Sequence, residues 1–288
     1  MGRLLGTVAY TLLVPYRKIV RRNLAFAFPE WDRNRVRRHA RNVFINVSIT
    51  FFEICYFFLS GKEEILKNIR LKGDPKALKL LDNPKGGILI SAHLGNWEMG
   101  PLFASCYFQY PLILVARKVR PRLLNKLVDK MRSRFGNTIL DKKNALVPIK
   151  QSIRDGHVIG LLVDQGTTFA EGVETTFFGH KVTATPVVAL LARRYRCPVI
   201  PAFCVREADG GLSLIFSSPL PLKKSDNFRA DLTENTQIMI NAIEDAIRKY
   251  PDQWFWFHKR WKRFYPWLYP EYQAKRQRRK KRKGKRKK

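Results

Sequence analysis

One histidine in this chain stands where chemistry could be done. Residues 87–92 (GILISA) read as a buried strand, and His93 follows at once in the run His93-Leu94-Gly95-Asn96-Trp97-Glu98. Ligands of α/β sheets bind at the carboxyl ends of the strands, so His93 is placed for proton transfer. Glu98 is five residues on, an offset that on a regular helix turns two side chains about 140° apart. A turn over Leu94 to Asn96, eased by Gly95, with a helix starting near Trp97, would let them meet. The carboxylate would then accept the Nδ1 proton, fix the tautomer, and leave Nε2 to take a proton from a substrate hydroxyl. By spacing alone, a structural histidine fits as well. Asp164 and Gln165 follow another apolar run and point to the same edge, although a strand-end cap is the simpler reading of Asp164 by itself.

The elements that must hold these groups alternate. Apolar runs at 87–92, 112–116, 158–163 and 198–205 read as strands, separated by helical spacing at 121–135, 147–155 and 185–195. Asp209-Gly210-Gly211 reads as a hairpin turn into a strand at 212–216, and a last helix runs over 231–249. This pattern predicts an α/β fold, a mixed but mainly parallel sheet with helices on its faces. The Gly-containing stretch 167–183 reads as a long loop that could lie over the site. GxGxxG, P-loop, GxSxG and HExxH motifs are all missing, so dinucleotide, nucleotide, acyl-serine and zincin chemistries lose their main support. Cys55, Cys106, Cys197 and Cys204 form no CxxC pair and read as small apolar core residues in a reducing compartment, with no metal site and no disulfide framework.

Charge names the class of partner. The chain carries 55 Lys and Arg against 23 Asp and Glu, a formal charge of +32, with an ordinary 45% of hydrophobic residues. Such an excess calls for an anionic partner: nucleic acid, an anionic membrane or an acidic protein. Twelve of the fourteen residues from Lys275 to Lys288 are cationic, which reads as a disordered tail and leaves 43 cations against 23 anions before it. The body is therefore basic in its own right. Near the N-terminus Arg17, Lys18, Arg21, Arg22, Arg33, Arg35, Arg37, Arg38 and Arg41 mix with Phe26, Phe28 and Trp31. That mixture suits a membrane interface, the alternative being a solvated basic helix. The uncharged run 4–16 lacks a cleavage site and is too short to span a bilayer, which takes about 20 residues. Residues 43–61 approach a spanning length, yet Asn46, Ser48, Thr50 and Glu53 would be expensive in lipid. A helix half against protein and half against lipid, or an ordinary core helix, fits better.

At this point the sequence resembles a family. His93 to Glu98 is similar to the H-x-x-N-W-E form of the HX4(D/E) motif in lipid A biosynthesis acyltransferases, of the lysophospholipid acyltransferase superfamily. Four further blocks match in order: Asn23 to Glu30 (NLAFAFPE), Val115-Ala116-Arg117, Leu162 to Gln165 with Phe177-Phe178-Gly179, and Pro251 to Trp254 through His258 to Lys262. The resemblance covers about residues 2–265. It implies a glycerolipid acyltransferase-like fold and transfer of a fatty acyl chain from acyl carrier protein or coenzyme A to a hydroxyl of an anionic lipid A precursor. The place would be the cytoplasmic face of the inner membrane. No cofactor is implied beyond the acyl-thioester co-substrate. His93 would be general base and Glu98 would orient it. Arg117, Asp164 and Asn96 would serve the substrate side, Arg117 by bidentate contact with phosphate and Asp164 by holding the site together. His258 and Arg260, set among tryptophans, read as structural or interfacial. Other acceptors, a phosphatidylinositol mannoside or a lysophospholipid, fit the same chemistry, and a basic nucleic-acid-binding protein is the remote alternative. The expected organisation is a membrane-associated helical segment over 1–60, a catalytic α/β domain over 61–273 and a basic tail over 274–288.

Overall fold

Apolar runs rich in Ile, Val and Leu can bury both faces only inside a sheet covered on both sides. In the computed structural model, which describes residues 1–82, 84–118 and 120–273, they form a seven-stranded sheet. Its strands are β1 (Ile69–Gly73), β2 (Gly87–Ser91), β3 (Ile113–Ala116), β4 (Thr138–Asp141), β5 (Val158–Leu162), β8 (Val199–Arg206) and β9 (Leu212–Phe216). The order is β1-β9-β8-β2-β5-β3-β4. Strand β8 pairs antiparallel with β9, and every other neighbouring pair is parallel. The mixed, mainly parallel sheet flanked by helices is thus the one the alternation predicts. Strands β1 and β4 escaped notice because five- and four-residue edge strands with charged residues carry little periodicity. Since β2, β3, β4, β5 and β8 all run one way, Ser91, Ala116, Asp141, Leu162 and Arg206 end at a single edge.

The stretch read as a long loop is instead a hairpin, β6 (Val173–Phe177) with β7 (His180–Ala184). Its Thr and Val residues favour extended backbone, and Phe178 (φ 53°) with Gly179 (φ 72°) makes the tight turn. It rests on the long helix α10 (Phe228–Lys249), whose Gln237 accepts from Thr176 N at 2.7 Å.

The remaining helices are α1 (Gly2–Leu12), α2 (Val14–Ala27), α3 (Arg33–Leu59), α4 (Lys62–Asn68), α5 (Pro75–Asp82), α6 (Met99–Phe108), α7 (Arg122–Arg132), α8 (Leu146–Arg154) and α9 (Val187–Tyr195). Among the described residues α3 is the one helix long and apolar enough to cross a membrane. It is not apolar all round. His39, Asn42, Asn46, Thr50 and Glu53 fall three or four apart, a stripe down one face. His39 and Asn42 bond the Asp252 carboxylate, Asn46 donates to the Asp252 carbonyl, and Thr50 donates to the Gly95 carbonyl. Glu53 accepts from Arg206 and from Asn96 Nδ2. Asn46, Thr50 and Glu53, three of the four residues that would be costly in lipid, therefore bond to protein, while Phe51, Phe52, Tyr56 and Leu59 face outward. Helix α1 packs along α3 so closely that a Cβ on Gly6 would lie 2.5 Å from Ile45 Cα.

Two expectations need correction. Phe26, Phe28 and Trp31 pack on protein rather than standing out from it: Phe28 is buried, Phe26 stacks on His180 with 3.7 Å between ring centroids, and Trp31 stacks on Phe28. The exposed apolar side chains nearby are Leu4, Leu5, Val8, Leu12 and Leu13 instead. Aromatic rings were drawn inward because the C-terminal segment supplies partners in Trp256, Trp261 and Tyr265. Cys55 is likewise no core residue; it is exposed on α3, whereas Cys106, Cys197 and Cys204 are buried. The anticipated basic tail, residues 274–288, lies outside the described residues.

Candidate active site

His93 leaves the sheet two residues beyond β2, and a turn re-aims the chain before α6 begins at Met99. Gly95 adopts φ +61°, and a Cβ there would stand 2.1 Å from the Cys204 carbonyl oxygen, so only glycine fits. The turn is pinned by backbone bonds from Gly95 N to Gln253 O (3.0 Å) and from Asn96 N to Cys204 O (2.8 Å).

The imidazole Nδ1 does not meet Glu98. It lies 2.9 Å from Asp164 Oδ1, and the His93 backbone N–H donates to Asp164 Oδ2 at 3.0 Å. Trp254 Nε1 adds a third donor to Asp164 Oδ2 at 2.8 Å. A fully buried carboxylate held by three N–H groups stays ionised: burial pushes its pKa up, but His93 and Trp254 outweigh this and hold it well below the usual range. Burial likewise pulls His93 down, and the charge and hydrogen bond of Asp164, together with the Glu98 charge, more than offset that, leaving the imidazole above its ordinary value. With Nδ1–H facing a carboxylate, Nε2 is the basic nitrogen. It faces the Gln165 side-chain amide at 3.4 Å, and Trp97 packs edge-on against the ring at 5.4 Å.

Glu98 is taken by Arg132 of α7, which donates through Nε at 2.8 Å and Nη2 at 2.5 Å. The expected contact fails because α6 begins only after Glu98, so the five-residue offset is closed by a turn that aims the carboxylate at α7. Both side chains of this pair are mostly buried, and both line a narrow apolar cavity between α6 and the sheet. Ser91 and Trp97 lie at its histidine end, and Ala104, Leu112, Leu214 and Phe216 form its interior.

The substrate-side residues separate. Asn96 is fully buried, its amide donating to Glu53 at 3.0 Å, so the structure puts it in the joint between α3 and the turn rather than facing the cavity. Arg117, exposed just beyond β3, belongs to a cationic group. Lys142 is pushed down by burial and by Arg117, and Lys262 by burial and by Arg263, Lys259 and Arg117. Glu171 is the carboxylate that feels both Lys142 and Arg117. Three cations that act on one another with one carboxylate among them favour the approach of an anion. Among the described residues no cluster of His, Cys, Asp or Glu is arranged to hold a metal ion.

Sequence reasoning missed Trp254, Arg132, Lys142 and Lys262 as members of this site. Trp254 alone left a signal, since an indole N–H only donates and a buried one needs an acceptor. His258 and Arg260 stand behind the site. Burial drives His258 down to about 4 and Arg260 down to about 10. Arg260 donates to the Thr183 carbonyl at 2.7 Å, and its Nε and Nη2 find no protein acceptor.

A family model described as bacterial lipid A biosynthesis acyltransferase matches residues 1–263. The chain is similar to the lipid A biosynthesis lauroyltransferase of Escherichia coli, 26% identical over 265 residues, covering 91% of this chain and 84% of that protein. It is also similar to the palmitoleoyltransferase of the same organism, 21% identical over 269 residues with the same coverage. A phosphatidylinositol mannoside acyltransferase of Mycolicibacterium smegmatis is 24% identical over 185 residues, 63% of this chain and 58% of that protein's length.

Proposed function

Because the chain belongs to the bacterial lipid A biosynthesis acyltransferase family and is an acyltransferase, we propose that it moves a fatty acyl chain from a thioester donor to a hydroxyl of a lipid A precursor. The observation that carries this reading is His93, backed by Asp164, beside an apolar cavity that its neighbours Ser91, Trp97 and Glu98 line, with a cationic group beyond β3 and β4. The acyl tail occupies the cavity, and the glycolipid phosphate sits against Arg117, Lys142 and Lys262. His93 Nε2 takes the proton of the acceptor hydroxyl as its oxygen attacks the thioester carbonyl. The tetrahedral intermediate collapses, the C–S bond breaks, and the imidazolium returns its proton to the departing thiolate. Asp164 stays ionised throughout, holding the ring and balancing its charge. Glu98 acts through Arg132, the two cancelling each other's charge where they line the cavity.

Acyl carrier protein is the donor proposed here, with coenzyme A as a second carrier of the same thioester. The cytoplasmic face of the inner membrane is where such a donor and acceptor meet. The mycolicibacterial relative favours a second acceptor, a phosphatidylinositol mannoside, which also offers a hydroxyl beside a phosphate. Mass spectrometry of lipids from cells lacking the chain, complemented by wild type or by His93→Ala, tests the proposal. Loss of one acyl chain from lipid A, restored only by wild type, is expected. An unchanged lipid A would overturn this acceptor, and full rescue by His93→Ala would overturn the mechanism.

A further inference from the structure

Helix α7 carries more apolar surface than the protein uses. Of its residues only Met131 is buried, while Leu123, Leu124 and Leu127 are 79%, 43% and 50% exposed. The helix starts just beyond β3, at the sheet edge that holds His93. Val147 and Leu146 follow β4 at the same edge and are 74% and 41% exposed, and Phe169, in the segment after β5, is also exposed. Between 117 and 147 there are ten Lys and Arg and two Asp. Protruding leucines among cations fit neither a core nor a solvated helix face.

We propose that this rim, α7 with the start of α8, is the surface that seats the protein on an anionic phospholipid bilayer. The leucines enter the acyl boundary while the flanking cations meet lipid phosphates. Helix α7 then leads from the bilayer to the active site, since Arg132 at its end grips Glu98 at the cavity. Just beyond it, Arg134 donates to the carbonyls of Phe57, Phe58 and Ser60, tying α7 to the end of α3 with its exposed Tyr56 and Leu59. The catalytic edge therefore faces the membrane, with α3 on one flank and α7 on the other. An acidic protein would satisfy the cations as well, but leucines that stand out along an exposed helix with cations on either side match the apolar-then-phosphate layering of a bilayer surface, which favours lipid. The inference rests on binding alone, so it stands or falls apart from the acyl-transfer reading.

The test uses the full chain without turnover, on vesicles containing about 30 mol% phosphatidylglycerol in phosphatidylcholine. In a Cys55→Ser background, an environment-sensitive fluorophore at Leu127→Cys is expected to shift to the blue on adding vesicles. The same probe at Leu80→Cys, on the segment feeding the opposite end of β2, is expected to stay unchanged. Leu123→Ser with Leu127→Ser should weaken vesicle partitioning about 100-fold, at about tenfold per leucine removed from the acyl boundary. Unchanged far-UV circular dichroism guards against misfolding, and the apolar control Leu127→Phe should partition like wild type, so that a loss in the serine pair reads lost apolar contact. A silent probe at Leu127, or unchanged partitioning of a folded serine pair, overturns the proposal. So does a serine pair that loses acyl carrier protein and keeps vesicles, which would assign the rim to a protein partner.

Discussion

At the scale of single residues, the decisive contact is Asp164 behind His93. On the proposed mechanism a neutral imidazole is the base, and Asp164 raises its pKa against the pull of burial. The acidic limb of kcat/KM should therefore lie above the ordinary histidine value of about 6.5, activity being lost as pH falls through it. Asp164→Asn removes the charge that raises the pKa, so the limb should move to lower pH while the maximum drops at least about 100-fold. A pH profile of both proteins checks the sign; a limb that moves upward would refute the assignment. His93→Ala should remove about 10²–10⁴-fold of the rate with the fold intact. Glu98→Ala should also lose transfer, but its cost includes an Arg132 left unpaired at the cavity, and Glu98→Ala with Arg132→Ala should recover part of the lost stability in thermal melts.

At the scale of elements, α3 and α6 each present one face to the site. The polar stripe of α3 holds the turn that carries His93 through Thr50, Glu53 and Asn96. Glu53→Ala leaves the mostly buried Arg206 guanidinium without its bidentate partner, a loss of about 2–3 kcal/mol read by denaturant unfolding. Glu53→Gln, which can still accept from Asn96, should lose less. Helix α6 walls the cavity, with Ala104 buried two turns beyond Glu98. Ala104→Phe fills that depth, so the preferred donor should become shorter by several methylenes, measured by competition between acyl donors of different length. An unaltered preference would place the acyl chain elsewhere.

At the scale of the whole molecule, charge and shape agree. An acyltransferase of formal charge +32 whose proposed acceptor is a phosphorylated lipid should gather both substrate and surface by long-range attraction. Raising salt from about 0.05 to about 0.5 M shortens the Debye length severalfold, so activity on anionic vesicles should fall far more than on a detergent-dispersed acceptor. The alternation of runs made the mixed sheet legible, because a strand buried on both faces must be apolar throughout. His93 at the end of such a run was legible for the same reason. Its partner was not. Glu98 is near in sequence, yet Asp164, 71 positions away, reaches the ring because β2 and β5 are hydrogen-bonded neighbours ending in register. Asn23 shows the same limit. Its amide donates to the carbonyls of Trp256 and His258 and accepts from Tyr269, joining the two ends of the chain. Residue types and local periods thus determined the class of fold, the candidate base and the demand for an anion. Which carboxylate serves the base, which way α3 turns its polar stripe and which leucines remain uncovered were decided by strand order and helix packing, since these alone bring distant residues within hydrogen-bonding range.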